Sequence, residues 1–356
     1  MELKIKLQRL RGLIREHRLQ GILLSNRANF SWLTGGHTSH IRSDVEKGVA
    51  ALWVTPANVE LWCNSIEEKR FREEEAKGLP FAYRTHPWYE PAKPRRKKAA
   101  SDDGAYGLPS LKDEIARLRW SLLPEEMTRY RRVGKLSGEA MEIVGKKVRQ
   151  GWRENQVAAE LSKELVDRGL EATVILVGSD ERLKRYRHPL PTTKKIQNRV
   201  MMVICAKGHG LIANLTRIVH FGPMPMDLRL RHRACLQVEC AMWDKTAIGI
   251  EAREVFQAGV SEYAAQGFDG EWKKHHQGGP TGYETRDYLA TPSCKEKLVA
   301  NQALAWNPSI TGTKSEDTVL LTKKGLEVLT STPNWPMVEV KCSGKTFERP
   351  DILEAK

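Results

Sequence analysis

The sequence has no run of about 18 apolar residues, so no part of it reads as a membrane-spanning helix. It shows no secretory leader pattern either. Met1 to Gln20 carries Glu2 and Glu16 among its Arg and Lys and reads as an amphipathic helix with Leu3, Leu7, Leu10 and Ile14 on one face. The six cysteines, Cys63, Cys205, Cys235, Cys240, Cys294 and Cys342, form no C-x-x-C pair and no framework spacing. That argues against a structural zinc site and for a reducing compartment, the cytoplasm. No internal repeat and no extended low-complexity segment is present. Acid is scarce relative to base: 58 Lys and Arg against 44 Asp and Glu leave a net charge of +14. A chain of this charge is not an acidic, solvating, disordered one. It has a nucleic-acid partner, an anionic small-molecule site, or a basic surface without function. The deficit is sharpest between Arg182 and Met226, where nine Arg or Lys occur and no Asp or Glu.

What is present is enough for a packed core, since 40% of the residues are hydrophobic and ten are Trp. At 356 residues, two domains are expected, because single cores stop growing near about 250 residues. From residue 21 short apolar runs alternate with helical stretches, the α/β pattern. Gly21 to Leu24, Val49 to Val54 and Val59 to Trp62 read as strands, and Ile66 to Lys77 as a surface helix. Pro91-Ala92-Lys93-Pro94-Arg95-Arg96-Lys97-Lys98 reads as a solvated loop rather than a phosphate-binding run. Leu122-Leu123-Pro124-Glu125-Glu126 marks a helix start, with Pro in the first turn and acids at the positive end of the dipole, and the domain boundary is placed just before it. Beyond it, helices near 125–148, 154–169, 225–247 and 251–267 alternate with strands near 173–178, 199–205, 211–221, 302–311 and 316–322.

Five segments stand out in order along the chain: Asn29-Phe30-Ser31-Trp32-Leu33-Thr34-Gly35, Arg187-His188-Pro189-Leu190-Pro191-Thr192, Asn214-Leu215-Thr216-Arg217, His275-His276-Gln277-Gly278-Gly279-Pro280-Thr281-Gly282 and Glu316-Asp317-Thr318-Val319-Leu320-Leu321-Thr322. In this order they resemble the creatinase and Xaa-Pro aminopeptidase family. The resemblance implies a two-domain α/β chain: a creatinase-like N-terminal α/β domain over 1–122, in which a strand runs into the Trp32-Leu33-Thr34-Gly35 turn, and an α+β pita-bread catalytic domain over 123–356.

Aminopeptidases of that family hold two divalent ions with two Asp, one His and two Glu, since hard or borderline dications need several anionic oxygens to offset their dehydration. At the corresponding positions this sequence has Val203, Asn214, Gly279, Asn307 and Glu316. One ligand survives. A dinuclear metallopeptidase is therefore not expected, and neither a metal nor another cofactor is assigned. The proton-handling side chains are better preserved. His188 stands where creatinase-like members have a histidine that shuttles a proton, and His275 where the family has a second active-site histidine; His276 either reaches the same cavity or points away. A histidine suits both acid and base roles near neutral pH. Glu316, without metal partners, either forms a structural pair with Lys314 or orients water or substrate. Asn214 and Asn307 keep the shape of carboxylates without the charge. Tyr283 and Arg286 lie where the family has residues that reach the substrate; Arg286 either grips a carboxylate or pairs with Asp287 or Glu284. Arg217 is a further carboxylate candidate. Arg42, after the Thr34-Gly35-Gly36 turn, stands where creatinase-like dimers lend an Arg to the neighbouring subunit. Cys205 reads as a buried apolar residue rather than a nucleophile.

The reading that follows is a metal-independent hydrolase, or related C–N bond-cleaving enzyme, acting on a small amino-acid-derived amide, amidine or guanidine. His188, His275 and Glu316 are its catalytic candidates. Asn214, Arg217, Asn307, His276, Tyr283, Arg286 and Arg42 are its substrate-binding candidates. The expected partners are a small-molecule substrate bearing a carboxylate and a second copy in a homodimer, without membrane or nucleic acid. The alternatives are a catalytically inactive pita-bread binding protein, and a Xaa-Pro aminopeptidase or dipeptidase with ligands recruited from elsewhere.

Overall fold

A computed structural model describes residues 1–90, 92 and 97–355. Most of the basic run at 91–98 lies outside the described residues. The chain divides into two compact units, Met1–Glu126 with His209–Leu211, and Met127–Gly208 with Ile212–Lys356. Among the described residues no helix is long and apolar enough to cross a membrane.

In the first unit, helix α1 (Glu2–Glu16) precedes strand β1 (Gly21–Asn26), helix α2 (Arg27–Thr34), strands β2 (Lys47–Val54) and β3 (Val59–Asn64), the short α3 (Glu68–Arg70), strands β4 (Ala82–His86) and β5 (Ala99–Ser101), and helix α4 (Lys112–Trp120). The strands form one mixed sheet in the order β4-β3-β2-β1-β5. Local expectations are adjusted at three points. On the expected face of α1, Leu10 and Ile14 are buried, Leu3 and Leu7 are half-buried, and Lys6 and Leu13 complete the buried set. Lys6 tolerates this burial because its Nζ lies 2.6 Å from Glu2 and 2.8 Å from Glu126. The Asn29–Gly35 segment is helical, not a strand entering a turn. Asn26 caps α2 by accepting the Ala28 N–H at 2.8 Å, and Gly35 ends it in the left-handed conformation at φ 79°. The expected surface helix over 66–77 is α3 followed by a π-helical stretch, Phe71–Glu75, in which Phe71 is buried.

The second unit contains α5 (Pro124–Lys147), α6 (Glu154–Asp167), β6 (Glu171–Ser179), the short α7 (Arg182–Arg185), β7 (Arg199–Gly208), β8 (Leu211–Phe221), α8 (Met226–Lys245) and α9 (Ala252–Ala265). Strands β9 (Gly278–Thr281), β10 (Gln302–Trp306), β11 (Ser309–Ile310), β12 (Thr313–Lys314), β13 (Asp317–Thr322), β14 (Gly325–Val328), β15 (Met337–Cys342), β16 (Lys345–Pro350) and β17 (Leu353–Ala355) follow. Two four-stranded sheets, β17-β8-β7-β6 and β14-β13-β10-β9, organise it. They meet where Thr216 of β8 pairs with Glu316, the Thr216 N–H donating to the Glu316 carbonyl at 3.0 Å. α8 and α9 cover the second sheet through a core that includes Val238, Met242, Val255, Phe256, Leu304, Trp306 and Val319. Glycine lets α5 approach closely: a Cβ at Gly138 would stand 2.2 Å from the Ser331 carbonyl oxygen.

Candidate active site

His188 sits between β6 and β7 on a segment with little regular structure, so side chains have to fix its path. Glu154, fully buried at the start of α6, accepts from the Ser179 hydroxyl at 2.8 Å, the Thr192 hydroxyl at 2.7 Å, the Thr192 N–H at 3.1 Å, and the Arg182 guanidinium. Asp180 accepts the N–H groups of Gln197, Asn198 and Arg199 at 2.9, 2.8 and 3.0 Å. His275 and His276 follow a 3₁₀ turn, Glu271–Lys274. Glu271 ties the two histidine segments together. It pairs with Arg187, next to His188, and accepts the Thr311 N–H at 2.8 Å and Lys274 at 2.6 Å. Burial pushes its carboxyl up, yet these donors outweigh the burial and hold it at about 2.

The three histidines gather at one point. His188 Nε2 and His275 Nε2 are 2.9 Å apart, and the His275 and His276 rings stack with centroids 4.4 Å apart. One ring nitrogen from each lies within 4.8 Å of the others. His275 is buried, His276 half-buried and His188 exposed. Burial, reinforced by the Lys314 charge, lowers His188 and takes His275 to about 2. Burial with Arg286 and Lys314 takes His276 to about 4. At neutral pH all three are uncharged imidazoles.

Beside them Glu316, 2% exposed, is clamped between two cations, with Lys314 Nζ at 2.7 Å and Arg286 Nη2 at 3.0 Å. The Thr216 hydroxyl donates at 2.9 Å to Oε2, the oxygen that Lys314 also contacts. Burial raises the Glu316 carboxyl, but Lys314 and Arg286 outweigh it and hold it at about 2. One anion against two cations leaves a single net positive charge next to neutral imidazoles. Asn214, two residues from Thr216 and so on the same strand face, donates from Nδ2 to Thr281 at 3.1 Å. The Oδ1 atoms of Asn214 and Asn307 are buried and have no hydrogen-bond partner among the described residues. Tyr283 is buried on the loop between Thr281 and Arg286.

One candidate of the second unit is not brought to this cluster. Arg217 was expected to hold a substrate carboxylate. Adjacent to Thr216 on a strand, it faces the opposite side of the sheet, where Asp317 Oδ1 at 2.9 Å and the Thr332 hydroxyl at 3.1 Å take its donors. A cavity of about 730 Å³ lies on that opposite side, lined by Arg217, Trp243, Asp317 and Phe347 among others. It is remote from the histidines, and its buried charges are mutually paired. Arg42, in the first unit, is exposed and pairs with Asp44 at 2.7 Å. Cys205 is buried, and burial pushes its thiol up to about 12, as its reading as an inert residue requires. No sequence pattern marks Glu154 or Glu271 as organisers. Arg187 and Glu271 are 84 residues apart, and no local pattern encodes that contact.

The profile of Metallopeptidase family M24 matches residues 128–323, and that of the Creatinase/Prolidase N-terminal domain matches residues 6–107. The chain belongs to metallopeptidase family M24. An uncharacterized peptidase of Staphylococcus epidermidis is 21% identical over 346 residues, covering 88% of this chain and 97% of the relative. One of Staphylococcus aureus is 22% identical over 226 residues, and the match spans 61% of this chain and 64% of that relative's length. Among solved structures, the prolidase from Pyrococcus horikoshii OT3 superposes with a TM-score of 0.79 at 17% identity, covering 92% of this chain and 98% of that one. At this identity the likeness shows the fold.

The residues at the five positions that the M24 resemblance marks do not fit two divalent ions. The Val203 side chain belongs to an apolar cluster with Leu176, Met201 and Leu228. Gly279 has no room for a side chain, since a Cβ there would lie 2.4 Å from the Tyr288 carbonyl oxygen. Asn214 and Asn307 bring no charge. Glu316 is paired through Oε1 with Arg286 and through Oε2 with Lys314, so neither oxygen is left for an ion.

Proposed function

We propose that this M24 protein hydrolyses a C–N bond in a small amino-acid-derived amide, amidine or guanidine that carries a carboxylate, with histidines moving the proton in place of a two-metal centre. The observation that carries this reading is the 2.9 Å contact between His188 Nε2 and His275 Nε2 beside the clamped Glu316. Two neutral imidazoles in that contact act as one donor and one acceptor; exposed His188 takes the proton of the water that attacks the carbon and returns it to the departing nitrogen, while His275, kept uncharged by burial, holds the His188 tautomer. Glu316 orders Arg286 and Lys314, whose surplus positive charge draws the substrate carboxylate. The unpaired Oδ1 atoms of Asn214 and Asn307 accept from the N–H groups of an amide, amidine or guanidine; His276 and Tyr283 complete the binding wall. In this reading 1–122 and 123–356 act as N-terminal and catalytic domains in a cytoplasmic homodimer, and Arg42 serves the neighbouring copy. The test is hydrolysis of amidino and guanidino acids and of Xaa-Pro dipeptides. His188→Ala is expected to lose about 10²- to 10⁴-fold in kcat with unchanged circular dichroism. Full activity in that variant, or two tightly bound divalent ions per chain, would sink the assignment.

A further inference from the structure

We infer that His188, His275 and His276 together bind one borderline transition-metal ion, such as zinc, and that the ion shuts off the histidine chemistry. This inhibition rests on the proposed hydrolysis; the binding does not. The geometry is close to a ligand set. One ring nitrogen from each histidine lies within 4.8 Å of the others, and two are 2.9 Å apart. Nitrogens around a tetrahedral ion with bonds of about 2.0–2.1 Å stand about 3.3 Å apart, so shifts of roughly 1–1.5 Å are needed, together with rotation of the stacked His275 and His276 rings so that both lone pairs meet the ion. The donor chemistry selects the ion. Imidazole alone, with no carboxylate or thiolate in the triad, suits zinc, copper or nickel rather than magnesium, calcium or manganese.

A second observation points the same way. The Nδ1 atom of His276 is buried with no hydrogen-bond partner among the described residues, so the cluster holds a ring nitrogen that the protein does not satisfy. Exposed His188 gives an ion a way in. Three protein ligands leave a fourth position. Because Lys314 and Arg286 outnumber Glu316 there, an added dication favours an anion, hydroxide or a carboxylate, in that place. None of the three histidines is one of the five positions that correspond to the M24 two-ion set. The ion and the proton compete for the same nitrogens: with Nε2 of His188 and His275 ligated, neither ring can accept or donate the proton.

The test is a cobalt(II) titration of chelator-stripped full-length protein, followed by zinc displacement. One ion per chain with tetrahedral visible bands is expected, and His275→Gln and His276→Gln are each expected to weaken binding at least tenfold while circular dichroism stays unchanged. Hydrolysis is expected to be fastest in chelator and to fall with zinc at the midpoint of the binding curve. No stoichiometric binding, or binding unchanged in both variants, overturns the site, and hydrolysis persisting in chelator then leaves the proposed function standing. Activity abolished by chelator and restored by one zinc overturns the inhibition. Binding of one ion, lost in the variants, supports the site even where no amide, amidine or guanidine is cleaved; in that case the hydrolase reading alone falls.

Discussion

Glu316 is the residue on which the site's charge turns. Fully buried and ionised, it is the shared partner of Lys314 and Arg286. Replacing it by glutamine leaves two cations facing each other without a counter-ion, and breaking a buried pair from one side costs about 3–5 kcal/mol. Glu316→Gln is therefore expected to lower the denaturant midpoint sharply, whereas Glu316→Gln combined with Lys314→Met is expected to recover part of the loss. A double variant no more stable than the single one would mean that Lys314 is not the main burden. Asn214 and Asn307 behave differently. Neutral and already short of one partner each, they are expected to tolerate Ala with smaller stability losses, of about 1–3 kcal/mol, read from the same denaturation curves.

At the scale of elements, the site depends on carboxylates that hold irregular segments rather than on the strands themselves. Glu271 fastens the His188 and His275 segments through Arg187 and Thr311. Its folded-state carboxyl is held down at about 2, below the ordinary value of 4.5. A depressed carboxyl contributes stability above its unfolded value, and that contribution is lost as pH falls from 4.5 toward 2. Wild-type melting temperature is expected to fall through that window, and the Glu271→Gln variant, less stable at pH 7, is expected to fall less. Equal slopes would exclude Glu271 as the acid-sensitive fastener. This is also where sequence stops being informative. The elements α5, α6, α8 and α9 and their strands follow from local apolar periodicity, and the five ordered segments identify the scaffold. The pairing of Asn214 with Thr281 across 67 residues, or of Arg187 with Glu271, exists only once the sheets have met. α2 was misread because eight buried residues show no amphipathic stripe; its signal lay in the flanking Asn26 and Gly35.

Across the whole molecule, the acid-free stretch from Arg182 to Met226 has a different meaning from the one its composition suggested. Arg182, Arg187, Lys194 and Arg217, four of its nine basic residues, are paired with Glu154, Glu271, Asp180 and Asp317 from outside the stretch. The acid is supplied from outside the stretch, by Asp180 just before it and by Glu154, Glu271 and Asp317 farther away along the chain, and Lys314 and Arg286 stand beside the histidines. The dimer is tested by mixing. With Arg42 serving the neighbouring copy, Arg42→Ala and His188→Ala proteins, each inactive, are expected to recover about a quarter of wild-type activity once their subunits exchange, because half of randomly assorted dimers are hybrids with one complete site. No recovery despite exchange would confine each site to a single chain. Gly279, finally, bears on history as much as on chemistry. With its Cβ direction closed off by the Tyr288 carbonyl, the position does not regain by one codon change the histidine that the M24 resemblance marks there; the loop that carries Tyr288 would have to move first.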